Sequence, residues 1–496
     1  MCHPHRCSFV SLEVVGMKVV IANFTGERPN WGCQATSWEL HKFCREVLLP
    51  FAPTELTTVP NPPVHILDEI IERVHGDKIA GIFASQSASL SDLRFIEKIV
   101  DRRFGEQAAR VRDSDIVIFQ GEGTMGPKRH FRGVRFFGLP FLAMHLWKKP
   151  VISLNQSFYA ARPYDLQIAR NVYKDMEVIA LRESRSYSMC RAIGLEQAIL
   201  CPDMAFRARC GADIEATKWR GKKYFCISGS AALGQYRLED YLSVLGEVAR
   251  THQIHPVFLH SKQKDSKLSI LAKKLLGEDH FDVVSNSEYP SYKDVLPILR
   301  GAQFVIGGRY HTSIMALAQT TPVVLLPGNT YKTEGLGQLL GIDIPVVAPS
   351  DVQAIFKNVS EIVANREKSV AAIASALSNI EDTMKVFGSY IEAAIQQIHL
   401  GQPIRSMPAP PPVLVPPPQI GSSKNTEIYT ATNLGRRSLI RKIITRAFHF
   451  RTYLNIARSF RSAKVFLLLA CNRSLYDSSE TTVIQPPPLS QLAPSD

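Results

Sequence analysis

Between Phe304 and Ile342 the chain reads FVIGGRYHTSIMALAQTTPVVLLPGNTYKTEGLGQLLGI, and few architectures accommodate that order of residues. A short apolar run, Phe304 to Ile306, breaks at Gly307 and Gly308. Arg309 and His311 follow, and Thr312 and Ser313 are placed to cap a helix reaching about Gln319. Pro322 to Leu326 then reads as a second buried strand. A strand, a turn, a helix and a strand in this order build parallel sheets. In such sheets ligands bind at the carboxyl ends of strands, beside helix amino termini whose free N–H groups favour anions. The paired glycines allow close backbone approach. Arg309 carries a permanent planar fork of donors suited to phosphate or carboxylate, and His311 can donate to the same anion or move a proton. An arginine on an exposed turn and a histidine that only caps its helix would look the same in sequence.

The same grammar recurs on both sides of a polar, basic hinge at residues 207–222. Met17 to Phe24 (MKVVIANF) reads as a buried strand, followed by the turn TGERPNWGCQA and a helix to about Leu48. In that turn Asn30 and Gly32 stand where a nucleotide-binding loop brings its backbone close to a ligand, and a plain tight turn accounts for the same residues. A helix from His65, a strand Gly81–Ser87, a helix from Leu90 and a strand Asp115–Gln120 follow. The last strand ends in GEGTMG, residues 121–126. Gly121 and Gly123 bracket Glu122, whose carboxylate can take a hydroxyl proton, hold a sugar hydroxyl or pair with a nearby cation. After a helix near Val134–Trp147, the strand Pro150–Leu154 ends on Asn155, Gln156 and Ser157, groups that suit a polyol or satisfy loop backbone. Val178 to Leu181 closes on Arg182, and Ile199 to Pro202 leads to Asp203.

The second series starts at Tyr224–Ser228 with Gly229 and Ser230, and continues with a helix from about Leu238 and the strand Val257–Leu259. A helix Lys264–Leu276, the strand Phe281–Val284 and a helix Tyr292–Arg300 lead into the opening stretch. Beyond it come the strand Pro345–Val347 and helices near Val352–Asn365 and Ser369–His399. The pattern predicts an α/β protein of two Rossmann-like domains facing a cleft, residues 17–206 and 223–400.

Charge narrows the ligand class. The net charge is +13, and residues 425–496 hold ten Lys/Arg and four Asp/Glu, so +6 of it lies in a tail. The remaining +7 over 424 residues favours anionic small molecules or surfaces over nucleic acid. Residues 1–16 are expected to be a disordered arm without a signal-peptide core. No apolar run approaches the roughly 20 residues that cross a bilayer, so a cytoplasmic protein is expected. Eight prolines between 403 and 418 predict a stiff linker over residues 401–424. Within the tail, residues 434–464 carry nine Lys/Arg and no acid, with apolar residues at spacings of three and four. This basic amphipathic helix suits the anionic inner face of a membrane, an acidic or helical partner, or the protein's own body. Nine cysteines without C-x-x-C spacing read as free thiols in a reducing compartment, with no metal site.

Six segments in order resemble the polysaccharide pyruvyl transferase family: NWGCQAT (30–36), DIVIFQGEGTMG (115–126), VISLNQSF (151–158), ALRESRSYSMCRAIG (180–194), CPDMAF (201–206) and FVIGGRYHTSIMALAQTTPVVLLP (304–327). The likeness runs along most of residues 17–345; Cys33 stands where some members have Asp, and GEG where some have a doubled glycine. The resemblance implies a glycosyltransferase-B-like pair of Rossmann-like domains, with the acceptor on the first and the donor on the second. It implies transfer of pyruvyl from phosphoenolpyruvate to a saccharide as a ketal, in exopolysaccharide or cell-surface glycan synthesis. It carries the family's Arg-x-His pair onto Arg309 and His311, and the arginine before its Ser-containing helix onto Arg182.

Chemistry then distributes roles. Phosphoenolpyruvate carries roughly three negative charges, and charge-assisted hydrogen bonds are worth about 1.5–3 kcal/mol each. Arg309 and Arg182 are the expected donor-binding cations, with Ser230 and Lys332 as further donor-side candidates. His311 is the expected acid and Glu122 the acceptor of a hydroxyl proton. Asn155 and Gln156, with Asn30, Gly32, Gly121 and Gly123, would line the acceptor side. Phosphoenolpyruvate is a co-substrate, and no other cofactor is expected. The expected partners are a saccharide or lipid-linked oligosaccharide and a membrane face met through residues 434–464, with no nucleic acid. Two other functions fit the fold: a glycosyltransferase using a nucleotide sugar, and a catalytically silent scaffold.

Overall fold

A computed structural model describes residues 16–61, 65–123, 133–159, 163–211, 217–230, 232–262, 265–328, 330–402 and 404. The amino-terminal arm, nearly all of the proline-rich linker and the basic segment 434–464 lie outside the described residues.

Among the described residues eleven strands form two sheets. The first contains β1 (Met17–Phe24), β2 (Thr54–Pro60), β3 (Ile116–Glu122), β4 (Val151–Gln156), β5 (Val178–Leu181) and β6 (Ala198–Leu200), in the order β2-β1-β3-β4-β5-β6. The second contains β7 (Tyr224–Ser228), β8 (His255–His260), β9 (Asp282–Ser285), β10 (Val305–Gly307) and β11 (Val323–Leu325), in the order β11-β10-β7-β8-β9. Every strand pair is parallel. Continuous apolar runs explain why: β4, β5 and β7 are buried along their whole length, as strands covered by helices on both faces must be. In each sheet the chain reverses direction once, between β1 and β3 and between β7 and β10. Those are the two places where an open α/β sheet leaves a ligand crevice.

The helices are α1 (Trp31–Leu48), α2 (Ile66–Ala84), α3 (Leu90–Asp113), α4 (Val134–His145), α5 (Pro163–Tyr173), α6 (Ser184–Ala192) and α7 (Leu238–His252), then α8 (Ser266–Leu276), α9 (Tyr292–Gly301), α10 (Tyr310–Ala318), α11 (Lys332–Leu340), α12 (Val352–Ala364) and α13 (Arg366–His399). Three expectations are corrected. The segment Gly81–Ser87 is not a strand, because α2 runs through it to Ala84. The second strand is instead Thr54–Pro60, a half-buried edge whose sequence TELTTVP has three threonines and a glutamate and carries little apolar signal. Thr312 and Ser313 lie inside α10, which begins at Tyr310 with Arg309 as its N-cap residue. Pro345–Val347 contributes one bridge, from Val346 to Leu325.

Both sheets belong to one compact unit, containing the described residues 16–61 and 77–404. Residues 65–76 form a separate unit, in which the His65 N–H donates to Asp68 Oδ2 at 2.9 Å and the Leu67 N–H to His65 Nδ1 at 3.1 Å. Within the large unit one buried cluster joins Ile21 and Ile118 of the first sheet to Cys226 and Val305 of the second, through Trp31 and Leu40 of α1 and Ile314 and Leu317 of α10. The long helix α13 returns to the first lobe, where Phe387 stacks on Phe43 of α1 with centroids 5.6 Å apart. Polar clamps set the register. Trp31 Nε1 donates to Tyr289 O at 2.7 Å, Gln34 Nε2 to Pro290 O at 2.9 Å, and the Tyr292 hydroxyl to Glu39 Oε1 at 2.6 Å. Among the described residues no helix is long and apolar enough to cross a membrane.

Candidate active site

The loop after β10 is built by exclusion. A Cβ on Gly307 would lie 2.0 Å from Ser228 Oγ, and one on Gly308 would lie 2.3 Å from Ser230 Oγ. Only glycine lets this loop nest against the end of β7, and the Gly308 N–H donates to Gly229 O at 3.1 Å. The chain then enters α10, which packs on α1. A Cβ on Gly32 of α1 would stand 2.7 Å from His311 Cβ, so the missing side chain is what admits the imidazole.

There His311 meets two buried charges from the first lobe. Its Nε2 lies 2.9 Å from Arg182 Nη1 and 3.2 Å from Asp203 Oδ2. Arg182, 1% exposed, also donates from Nη1 to Asp203 Oδ2 at 2.7 Å and from Nε to Ser157 Oγ at 2.8 Å. Asp203 accepts in addition from Thr36 Oγ1 and the Ala205 N–H, both at 2.8 Å. Burial alone would raise the Asp203 carboxyl, but the charges of His311 and Arg182 and the hydrogen bonds from His311 and Ala205 hold it well below the usual carboxylate range. Nε2 can play one part at a time: unprotonated it accepts from Arg182, protonated it donates to Asp203. A buried carboxylate in that position orients the ring.

A second set of charges lies around the same loop. Arg309 donates from Nε to Asp265 Oδ1 at 3.2 Å and also from Nη2. Asp265 is nearly buried, and its Oδ2 accepts from Ser261 Oγ and the Lys262 N–H at 3.1 Å. A Cβ on Gly229 would fall 2.3 Å from Asp265 Oδ1, so this glycine leaves room for the pair. Lys332 opens α11 and is half-buried, with Nζ 5.6 Å from the centre of the Tyr310 ring; Arg182 Cζ stands 5.0 Å from the same ring. The Lys332 ammonium is pulled down to about 7, first by burial and then by the charges of Arg182, Lys262 and Arg309, with Glu122 opposing. Arg182, Lys262, Arg309 and Glu122 thus lie within electrostatic reach of Lys332, with Asp203 paired to Arg182 and Asp265 to Arg309.

Glu122 ends β3 with its Oε1 accepting from Gln120 Nε2 at 2.8 Å and from Thr25 Oγ1. Its φ is 45°, and the neighbouring strand ends carry Asn23 at 65° and Asn155 at 54°. Three non-glycine residues in left-handed conformations on the adjacent strands β1, β3 and β4 are unusual. Such strain costs about 1–3 kcal/mol a residue and collects at functional sites.

Several expected ligand groups turn out to serve the protein itself. Asn155 donates from Nδ2 to Thr36 O and Oγ1 and accepts the Met204 N–H, so both ends of its amide are used. Gln156 is fully buried, donating from Nε2 to Ser157 O at 2.5 Å and accepting from the Tyr173 hydroxyl at 2.9 Å. Neither is available to a sugar. Gly121 is small because a Cβ there would overlap the Gln156 amide, whereas a Cβ on Gly123 would meet open space. Asn30 is the N-cap of α1, accepting the Gly32 and Cys33 N–H groups at 3.0 and 3.3 Å. The Ser230 hydroxyl is committed to Pro327 O at 2.6 Å, which removes the proton an anion would need. Arg182 has Nε and Nη1 engaged inside the protein, so it holds His311 rather than standing free for a ligand. Sequence reasoning passed over Thr25, Asp265 and Lys262, and assigned no role to Asp203. The only signal for Asp203 was its position just after a strand, in CPDMAF.

A sequence profile of polysaccharide pyruvyl transferases matches residues 34–329. No curated protein matches the chain. Among solved structures, a putative UDP-N-acetylglucosamine 2-epimerase from Listeria monocytogenes is 14% identical with a TM-score of 0.52, over 78% of this chain and 97% of that one. The S. aureus MnaA–UDP co-structure is 13% identical with a TM-score of 0.49, over 75% and 96%. At this identity the likeness to the Listeria protein shows the fold alone, a glycosyltransferase-B-like pair of Rossmann-like domains.

Proposed function

Because the chain belongs to the polysaccharide pyruvyl transferase family, whose profile spans residues 34–329, we propose that it moves the pyruvyl group of phosphoenolpyruvate onto two hydroxyls of a saccharide as a ketal, in exopolysaccharide or cell-surface glycan synthesis. The observation that supports this reading best is His311 held 2.9 Å from Arg182 and 3.2 Å from Asp203, beside Arg309, Lys262 and Lys332. A small trianionic donor needs that density of positive charge, and an enol needs a proton source next to it.

The reaction balances with two protons. His311 delivers one to the methylene carbon, which becomes the methyl group while C2 takes up oxocarbenium character. A saccharide hydroxyl adds to C2 and gives its proton to Glu122. The C2–O bond to phosphate then breaks, and phosphate departs with its bonding pair. The second hydroxyl adds, and the two hydroxyl protons finish on the methyl group and on the phosphate. Arg309 and Lys332 bind the donor's phosphate and carboxylate, Arg182 and Asp203 position the imidazole, and Thr25 and Gln120 hold the Glu122 carboxylate. No further cofactor enters this scheme.

Arg309→Ala is expected to lower kcat/KM for phosphoenolpyruvate by about 10²–10³-fold, the range for loss of a donor to developing charge. Arg309→Lys keeps a charge opposite Asp265 but loses the planar fork, so it should fall between the two. Steady-state kinetics within threefold of wild type in both variants would remove Arg309 from the donor site.

Lys332 supplies a test that needs no turnover. With its pKa near 7 it is mostly neutral at pH 8. A bound trianion favours the ammonium, so donor binding at pH 8 should take up close to one proton, and at pH 6 almost none. Calorimetry in buffers of different ionisation heat measures this uptake. Lys332→Met should abolish it; unchanged uptake in that variant would assign the proton elsewhere.

The function itself is tested by incubating the protein with phosphoenolpyruvate or a UDP-sugar, each with a panel of glycans. Acceptor-dependent phosphate release together with a pyruvate-sized mass gain supports the proposal. Release of UDP instead would make the protein a glycosyltransferase of the same fold.

A further inference from the structure

The amino-terminal half of α2 holds five aliphatic residues and buries none of them. Ile66, Leu67, Ile70, Ile71 and Val74 fall close together at helical spacings. Ile66 is 45%, Ile70 38% and Val74 66% exposed, and Leu67 and Ile71 are half-buried. The same helix behaves differently further on, where Ile79, Ile82 and Phe83 are buried. Ile66, Ile70 and Val74 recur at every fourth position, so they line one side of the helix. Exposed aliphatic residues scattered singly are ordinary, but a run of them along one helix marks a surface that meets something.

Charge selects the occupant. Residues 65–76 hold three acids, Asp68, Glu69 and Glu72, against one arginine, Arg73, in a chain whose net charge is +13. An anionic membrane face would meet like charge there, and so would the same segment of a second copy. The segment 434–464 has the opposite character: nine Lys/Arg, no acid, and Ile440, Ile443, Ala447, Phe450, Leu454 and Ala457 at spacings of three and four. On a helical projection Arg446 and Arg451 border that apolar side. Roughly thirty residues separate the segment from residue 404, and extended they span up to roughly 100 Å, farther than the width of a domain of this size. Two amphipathic helices of opposite charge cover each other's apolar sides and pair their charges at the rim. We propose that residues 434–464 of the same chain dock as a helix on the Ile66–Ile70–Val74 side of α2. The apolar side of the tail is then occupied within the chain. None of these residues belongs to the proposed donor or acceptor sites.

Hydrogen exchange of the backbone amides of residues 66–76, measured in the full chain, reads the contact. Ile443→Asp with Phe450→Asp, both in the tail, should speed that exchange by about tenfold or more, while the amides of β3 and β4 keep their wild-type rates. Glu72→Lys should speed it as well. Adding Arg446→Glu and Arg451→Glu to Glu72→Lys should restore most of the protection at low salt. Equal exchange in wild type and the tail variant, or no restoration in the charge-swapped one, would overturn the docking. Protection lost on about hundredfold dilution would make the occupant a second chain. Protection gained only with phosphatidylserine-containing vesicles would make it a membrane. Either of those results overturns docking of the chain's own tail.

Discussion

Asp203→Asn is expected to lower the free energy of unfolding by about 3–5 kcal/mol, the cost of removing one partner of a buried ion pair. The wild-type carboxylate is fully buried and takes hydrogen bonds from Arg182, His311, Thr36 and the Ala205 N–H. Asparagine keeps the shape but leaves Arg182 charged, buried and without its Asp203 counter-charge, and its NH₂ meets the Arg182 donor or, turned round, those of Thr36 and Ala205. Acid sensitivity should change with it. The folded carboxyl titrates below its ordinary value of 3.8, so its stabilisation is present above that pH and is lost as pH falls through the folded value. Chemical denaturation from pH 7 down to about pH 2 should show the variant weaker by a constant amount above the ordinary value of 3.8, with the gap narrowing below it. The double replacement Arg182→Met with Asp203→Leu removes both charges and should recover much of the stability while leaving turnover near background. A single variant melting within about 0.5 kcal/mol of wild type would mean that the pair contributes little to the fold.

His311→Ala should reduce turnover by about 10²–10⁴-fold, the usual contribution of a positioned acid or base. Donor binding should stay close to wild type, because Arg309 and Lys332 are untouched. Stability should fall only modestly: the Arg182–Asp203 pair at 2.7 Å survives, and what is lost is a partly exposed ring against Gly32. The pairing of collapsed kcat with an unchanged donor dissociation constant separates a proton-transfer role from a binding one. Single-turnover phosphate release at saturating donor is the measurement. A dissociation constant raised in step with the lost rate would make His311 a donor ligand, and a rate within tenfold of wild type would exclude it as the proton source.

Much of the frame was legible in the chain. Buried parallel strands announce themselves as unbroken apolar runs, and MKVVIANF, IVIF, VISL and VIAL all became strands of the first sheet. The edge strand Thr54–Pro60 escaped notice because an edge strand that is half-buried has no such run. The polar residues after each strand were visible too, but their duties were not. Asn155 and Gln156 looked like sugar ligands and proved to be internal struts. Gly32 looked like a backbone approach to ligand and proved to be the gap that His311 fills. The basic tail, read as an amphipathic helix, lies outside the described residues.

By itself the order of residues determined that this chain alternates strands and helices into two parallel sheets, and that arginine, histidine and glutamate fall at strand ends. Local spacing suffices for that, because a strand's burial and a helix's start depend on near neighbours. Tertiary structure alone decided which of those ends meet. His311 lies 108 residues from Asp203 and 129 from Arg182, and it reaches them only where α10 packs on α1 at a glycine. A side chain's hydrogen-bond partner is set by how two distant surfaces close on each other, and no local periodicity records that.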